Sequence, residues 1–175
     1  PNRNLALEKL TELGIKMDSV TLPNSIPTNI FDIVLRAESG AFFDSLITTN
    51  GVDKLVEQDE SSRANSLRQS EFISAVAYIQ ANRQRSVLIE QMNDLMKNYD
   101  VLIAPTTGSR QLYITNLTGH PALTVPTGLD EKGHPTSITL IGNLFNEATL
   151  LEVAMAYQNA TSFDESHPPL FTIEL

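Results

Sequence analysis

The chain has 175 residues, 41% hydrophobic and 19% charged, with 12 basic against 21 acidic side chains and no cysteine. That length and balance suit a soluble globular protein with a substantial core. The net charge of -9, without any run of Lys or Arg, argues against nucleic acid, whose phosphates need clustered cations. Lack of cysteine rules out a disulfide framework, a CxxC pair and thiolate metal sites. No apolar run reaches the roughly 20 residues of a membrane helix and no signal peptide is visible, so the expected location is the cytoplasm. The chain opens on Pro1 rather than Met, which leads us to expect an N-terminus set by processing or trimming.

In chain order, "NLALEKLTELG" carries Leu7, Leu10 and Leu13 at helical spacing, with Gly14 placed to end the helix. "IKMDSVTLP" alternates in character and predicts a short strand ended by Pro23, completing an αβ unit. A second helix is predicted over 29–47 from Ile30, Ile33, Val34, Ala37, Ala41 and Phe42, weakened by Gly40. Residues 48–70 are polar and aperiodic and predict mostly loop, with room for one helical turn. Ser70 then caps a long helix over 71–98, with Phe72, Val76, Ile79, Val87, Ile89, Met92, Leu95 and Met96 on its apolar side. "YDVLIAPT" contains an unbroken apolar run, Val101 to Ala104, which predicts a strand buried on both faces. "ALTVPTGL" and "TSITLIG" are two strands of a hairpin closed by "DEKG", whose glycine accepts positive φ. Pro126 lacks an N–H for the ladder, so its strand lies at an edge or bulges there. The last helix begins near Asn146, its cap candidate, with Leu150, Val153, Ala154 and Tyr157 as the buried stripe. Residues 162–175 predict an irregular tail.

The candidates for chemistry are few. His120, His134 and His167 each stand before a proline, and none has a second histidine at metal-ligand spacing. A residue before proline is driven to extended conformations, so these histidines read as turn exits. No Gly-x-Ser-x-Gly elbow and no glycine-rich phosphate loop is present. Ser39 sits in a helical pattern, and the acidic pairs Asp59–Glu60 and Asp130–Glu131 read as solvated loop residues. "APTTGSR" is different, because a loop at the C-terminal end of a buried strand is a common place for a ligand. Thr106, Thr107 and Ser109 could line a pocket there or serve the turn alone. From the residues alone the chain is an α/β layered domain without a catalytic constellation.

"NLTGHPALTVPTGLDEKGHPTSITLIGNLFNEATLLEVAMAYQ" closely resembles the C-terminal signature of the amidase signature family, which includes fatty acid amide hydrolase and the glutaminase component of tRNA-dependent amidotransferases. Asn116, Leu117, Gly119, Pro121, Ala122, Val125, Pro126, Gly133, Pro135, Ile141, Gly142, Glu147, Ala148, Leu150 and Leu151 fall on the pattern. "YDVLIAPT" is similar to the preceding strand and "ISAVAYIQANRQRSVLIEQM" to the family's long helix. The likeness is strong over 73–158 and extends to the first 70 residues only in element order. One departure is the short "TTGSRQLYIT" between Pro105 and Asn116, where family members often carry a longer segment that helps to wall the substrate pocket.

The resemblance implies the C-terminal part of a layered α/β/α fold with a mixed sheet, here a single α/β domain over 1–175. It also implies a hydrolase that cleaves a carboxamide C–N bond with a Ser-Ser-Lys triad, in which a lysine held neutral takes the proton of the nucleophilic serine. Those residues lie in the family's N-terminal half. No Gly-Gly-Ser-Ser-Gly-Gly loop occurs here, and Lys9, Lys16, Lys54, Lys97 and Lys132 match no family motif. We therefore expect no catalytic residue, no cofactor and no metal in this chain, and no amide hydrolysis by it alone. The expected partners are the missing catalytic half and a small amide substrate, with a homodimer left open. Thr106, Thr107, Tyr113 and Asn116 are the expected edge of the substrate pocket. Two alternatives stand beside this reading: the glutaminase component of a tRNA-dependent amidotransferase, and a non-catalytic binding module.

Overall fold

A computed structural model of the chain describes residues 2–27 and 29–166. His167 and the rest of the expected tail beyond residue 166 lie outside the described residues. The chain divides into two compact units: Pro1–Pro23 with Glu90–Leu175, and Asn24–Ile89. No helix among the described residues is long and apolar enough to cross a membrane.

The first unit is built on a three-stranded antiparallel sheet, with β1 (Val101–Pro105), β2 (Ala122–Leu129) and β3 (Pro135–Gly142) in the order β1-β3-β2. The hairpin forms as its sequence dictates. Asp130 N–H donates to the His134 carbonyl at 2.8 Å, and Gly133 closes the turn at φ +79°. Asp130 also accepts from the Lys132 and His134 N–H groups, and the bond from His134 leads in holding its carboxyl below the ordinary range. Pro126 meets both expectations, since β2 is an edge strand and its register shifts between Pro126 and Gly128.

One sheet face packs on α1 (Asn2–Glu12) and α7 (Glu147–Asn159). The core there joins Ala6, Leu10, Val125, Ile138, Leu140, Leu150, Ala154 and Tyr157. α1 ends as Gly14 predicts: Gly14 N–H bonds to Thr11 O and Ile15 N–H to Leu10 O, with Gly14 at φ +84°. That pair of bonds satisfies carbonyls the helix would otherwise leave bare. At its other end Asn2 donates to Leu129 O and Thr136 Oγ1, which ties the helix to the hairpin end of the sheet. The Tyr157 hydroxyl donates to Pro126 O at 3.1 Å, so the bulge is held from α7.

The second unit is helical. It holds α2 (Asn29–Phe42), α3 (Asp44–Thr48), a 3-10 turn (Gly51–Lys54) and α4 (Arg63–Ser70). A Cβ on Gly40 would lie 2.1 Å from Ser70 Oγ, so the glycine is what lets α2 and α4 cross closely. α5 (Ala75–Met96) then carries the chain from one unit to the other.

Several expectations need correction. Residues 48–70 are not a loop throughout, because α4 forms in a nearly all-polar stretch. It is capped by Ser62, which accepts from Asn65 N–H, and buries only Ala64, Leu67 and Ser70. Ser70 ends that helix instead of capping α5, and Ser74 takes the capping role by accepting from Ala77 N–H. The apolar side expected for α5 is split: Met92 and Met96 are buried, while Phe72, Val76, Ile79 and Val87 are exposed. Among the described residues the sheet is a small antiparallel one. The strand expected over 15–22 joins no ladder, and β1 alternates in burial instead of being buried on both faces. With no neighbour beyond β1, the first segment lacks the partner that makes an extended chain a strand, and Val101 and Ile103 stay half-buried.

Candidate functional site

The sheet's second face is polar where β1 ends. Ser137 and Thr139 are two apart on β3 and so share a face, opposite to Ile138 and Leu140. Both hydroxyls donate to Thr106 Oγ1, at 3.0 and 3.1 Å. Thr139 also meets its register partner Thr124, with 3.2 Å between the hydroxyl oxygens. The result is a row of four hydroxyls, Thr124, Thr139, Thr106 and Ser137, backed by an apolar core on the far side. An oxygen that accepts twice keeps its own hydrogen to give. Thr106 is thus a donor held in place by two neighbours, with chemistry suited to a carbonyl or amide oxygen.

The turn after β1 is bound into this arrangement. Gly108 takes φ +74°. Ser109 Oγ donates to Pro105 O, and buried Gln111 donates from Nε2 to Thr106 O at 3.1 Å. The segment expected as a turn over 106–116 continues as a helix, α6 (Gln111–Thr118). A glutamine at its first position reaches back to the strand end, and Gly119 at φ +79° closes it.

The four residues expected at a pocket edge are placed unequally. Thr106 lies in the hydroxyl row and Thr107 is exposed in the turn. Tyr113 and Asn116 are exposed, one helical turn apart on α6. The Asn116 amide donates to Leu112 O within its own helix at 2.7 Å. Ser137, Thr139, Thr124 and Gln111 do not stand out in the sequence. The period-2 spacing of Ser137 and Thr139 in "TSITLIG" is the signal that could have found two of them.

The described histidines do structural work. His120 is buried, and its Nδ1 lies 2.8 Å from Thr118 Oγ1. Thr118 spends its hydrogen on Ile114 O, so His120 must donate from Nδ1 and carry a bare Nε2. That nitrogen is buried without a partner, and desolvation lowers the pKa below the ordinary 6.5, which keeps the ring neutral. His134 is exposed on the hairpin turn, 3.4 Å from Asp130. Among the described residues no three His, Cys, Asp or Glu side chains gather as a metal site.

No protein-family model matches the chain. Among curated relatives, the A-type subunit of glutamyl-tRNA(Gln) amidotransferase from Nostoc sp. is 27% identical over an alignment of 209 residues, which takes in 94% of this chain and 42% of the relative. The aligned length exceeds the chain itself, so the relative carries segments that this chain lacks. The protein of the same name from Thermosynechococcus vestitus is 35% identical over 112 residues, 53% of this chain and 23% of its own. Among solved structures, the peptide amidase PAM bound to the competitive inhibitor chymostatin superposes with a TM-score of 0.76 over 97% of this chain and 41% of its own, at 23% identity. A bacterial aryl acylamidase of the amidase signature enzymes family superposes with a TM-score of 0.71 over 94% and 40%, at 19% identity. The chain spans about two fifths of the length of the first of these relatives.

Proposed function

We infer that this chain, a homologue of amidase signature proteins with their fold, is the C-terminal portion of an amidase that cleaves a carboxamide C–N bond. The observation that carries the reading is the coverage: nearly the whole chain aligns, yet it takes up only 42% of the relative. A serine nucleophile, a bridging serine and a lysine base would then belong to the portion outside the match. The 175 residues would supply sheet, core and one edge of the substrate pocket. Thr106, with its directed hydroxyl hydrogen, and Thr107, Tyr113 and Asn116 are the residues we assign to that edge. The reading needs no cofactor and assigns the protein to the cytoplasm. It pairs the chain with its N-terminal catalytic half and a small amide substrate, and it is compatible with a homodimer of the whole protein.

The experiment that tests it is to read the coding sequence upstream of Pro1 and assay the encoded protein for ammonia release from primary amides. A Gly/Ser-rich nucleophile loop with amidase activity supports the reading. An upstream region with neither would end it.

A second reading is favoured by the relatives' names, which are those of an amidotransferase component. In it the parent hydrolyses glutamine and delivers ammonia to a partner enzyme. Activity on glutamine that appears only with copurified partner proteins would select it; turnover of simple amides by the parent alone would select the first. The third reading, a free-standing binding module, is opposed by the exposed Phe72, Val76, Ile79 and Val87, since a self-sufficient module rarely leaves so much apolar surface open.

A further inference from the structure

Asn50–Gly51 is the one place in the chain where glycine follows asparagine. The pair links α3 to the 3-10 turn, and the fold holds each residue for a separate reason. Asn50 sits in the left-handed region at φ +58°, which asparagine tolerates better than most side chains. Gly51 lies close to Leu46, where an added Cβ would fall 2.6 Å from Leu46 Cδ1 and 3.2 Å from Leu46 O. The turn thus selects the dipeptide for its shape. The chemistry that comes with the dipeptide is left unguarded. Asn50 is exposed, and its side chain makes no cap bond to the turn it precedes. Backbone bonds run from Asn50 N–H to Ile47 O at 3.1 Å and from Asp53 N–H to Asn50 O at 3.2 Å. The Gly51 N–H between them donates to none of the described residues. Asn65, which a small serine follows, shows the contrast: it lies within α4, and its side-chain amide donates to Glu60 O at 2.9 Å.

We propose that Asn50 is a site of spontaneous modification, where the side-chain amide becomes a carboxylate through a cyclic imide with the Gly51 nitrogen, and that the isoaspartate so formed loosens the turn around Val52. The reaction balances with water alone. The Gly51 nitrogen attacks Asn50 Cγ and gives up its proton, the Cγ–Nδ2 bond breaks, and ammonia leaves. Glycine permits the approach because it has no side chain to crowd its own nitrogen. The backbone bonds on either side of Gly51 must loosen for the nitrogen to swing toward Cγ, so the rate reads the ease of that local opening. Water then opens one of the two ring C–N bonds. Opening at Cγ leaves aspartate, which still tolerates the left-handed turn and adds one negative charge. Opening at the Asn50 carbonyl carbon leaves isoaspartate, in which the backbone runs through Cβ and is one carbon longer. The carbonyl that Asp53 N–H bonds is then no longer part of the main chain. Val52, next along the link, is 2% exposed, and its own carbonyl accepts from Gln58 Nε2 at 2.9 Å. A longer backbone moves both groups out of register, so the two products differ in effect.

The test holds the chain at mildly alkaline pH, folded and in urea, and follows the peptide that contains residues 50 and 51 by mass spectrometry. Circular dichroism certifies the folded sample. Conversion at Asn50 is expected ahead of every other asparagine. In the folded chain it should run no more than about thirtyfold slower than in urea, because an exposed turn opens readily. Asn50→Gly accepts the same φ and should abolish the reaction, while Gly51→Ala should slow it by about tenfold or more in both states. The aged protein is then separated by charge. Amides of 44–58 in the isoaspartyl fraction should exchange faster than those of Asn50→Asp, which carries the same charge on an unaltered backbone. Another asparagine reacting before Asn50 overturns the proposal. So does a folded rate more than thirtyfold below the rate in urea, and so does an isoaspartyl fraction that exchanges no faster than Asn50→Asp.

Discussion

The two units reach their stability by different routes. In the sheet unit, strands distant in sequence enclose one core with α1 and α7, and Leu10, Ile138, Leu140 and Tyr157 are almost wholly removed from water. The helical unit has no sheet and few fully buried side chains, among them Ile30, Val34, Val52 and Leu67, while Phe42, Val56 and Phe72 stand largely in solvent. A unit that closes its own core tolerates little change inside it. The helical unit relies instead on close backbone crossings, such as that of Gly40 against Ser70.

The contrast can be broken at graded cost. Leu140→Ala in the sheet unit should cost about 2–5 kcal/mol, because packing on both sides prevents the cavity from collapsing; chemical denaturation measures it. Gly40→Ala in the helical unit should cost about 1–3 kcal/mol, since the new Cβ falls 2.1 Å from Ser70 Oγ and 2.7 Å from Ser70 Cβ. Pairing it with Ser70→Gly should recover most of that loss. Tyr157→Phe keeps the ring and strands the Pro126 carbonyl, for a loss of about 1 kcal/mol, with the bulge amides exchanging faster. Phe72→Ser should leave the isolated chain within about 0.5 kcal/mol of wild type, because the ring it removes is already 87% exposed.

His120 sharpens the comparison through pH. Its folded pKa is lowered by burial, so the unfolded chain takes up a proton first as pH falls. The histidine's stabilising effect is complete above the unfolded value near 6.5 and is lost progressively below it, as the pH falls toward the lower folded pKa. His120→Leu removes an unpaired buried nitrogen and leaves Thr118 bonded to Ile114. Stability at pH 7 should change little, and the loss between about pH 6.5 and 5 should become shallower in melts across that range.

The sequence is most readable where one local rule and one tertiary need agree. The hairpin is an instance: period-2 alternation, a four-residue turn ending in Gly133 and a proline that marks an edge all point to the same arrangement. Gly14 is another. Residues 15–22 are legible as a strand by pattern, but a ladder needs a neighbour and β1's side offers only a cavity. The helix α4 escapes a reading by periodicity because "RANSLRQS" has few apolar residues; its cap at Ser62 and the fit of Ser70 against Gly40 hold it. In α5 the apolar side is legible, but not which part of it stays open. At the candidate site, Thr106 is found from its place at a strand end. Its partners Ser137 and Thr139 lie 31 and 33 residues away, and only the sheet register brings them to it.

The central proposal is that this chain shares the fold of amidase signature proteins and that the catalytic residues of the whole protein lie outside it. The direct measurement is ammonia release from a panel of primary amides by the purified 175-residue chain, alongside labelling by a serine-reactive fluorophosphonate. The account predicts no turnover above the buffer rate and no labelled serine. Serine-dependent turnover, lost when the labelled serine is replaced by alanine, would contradict it and place a nucleophile within these residues.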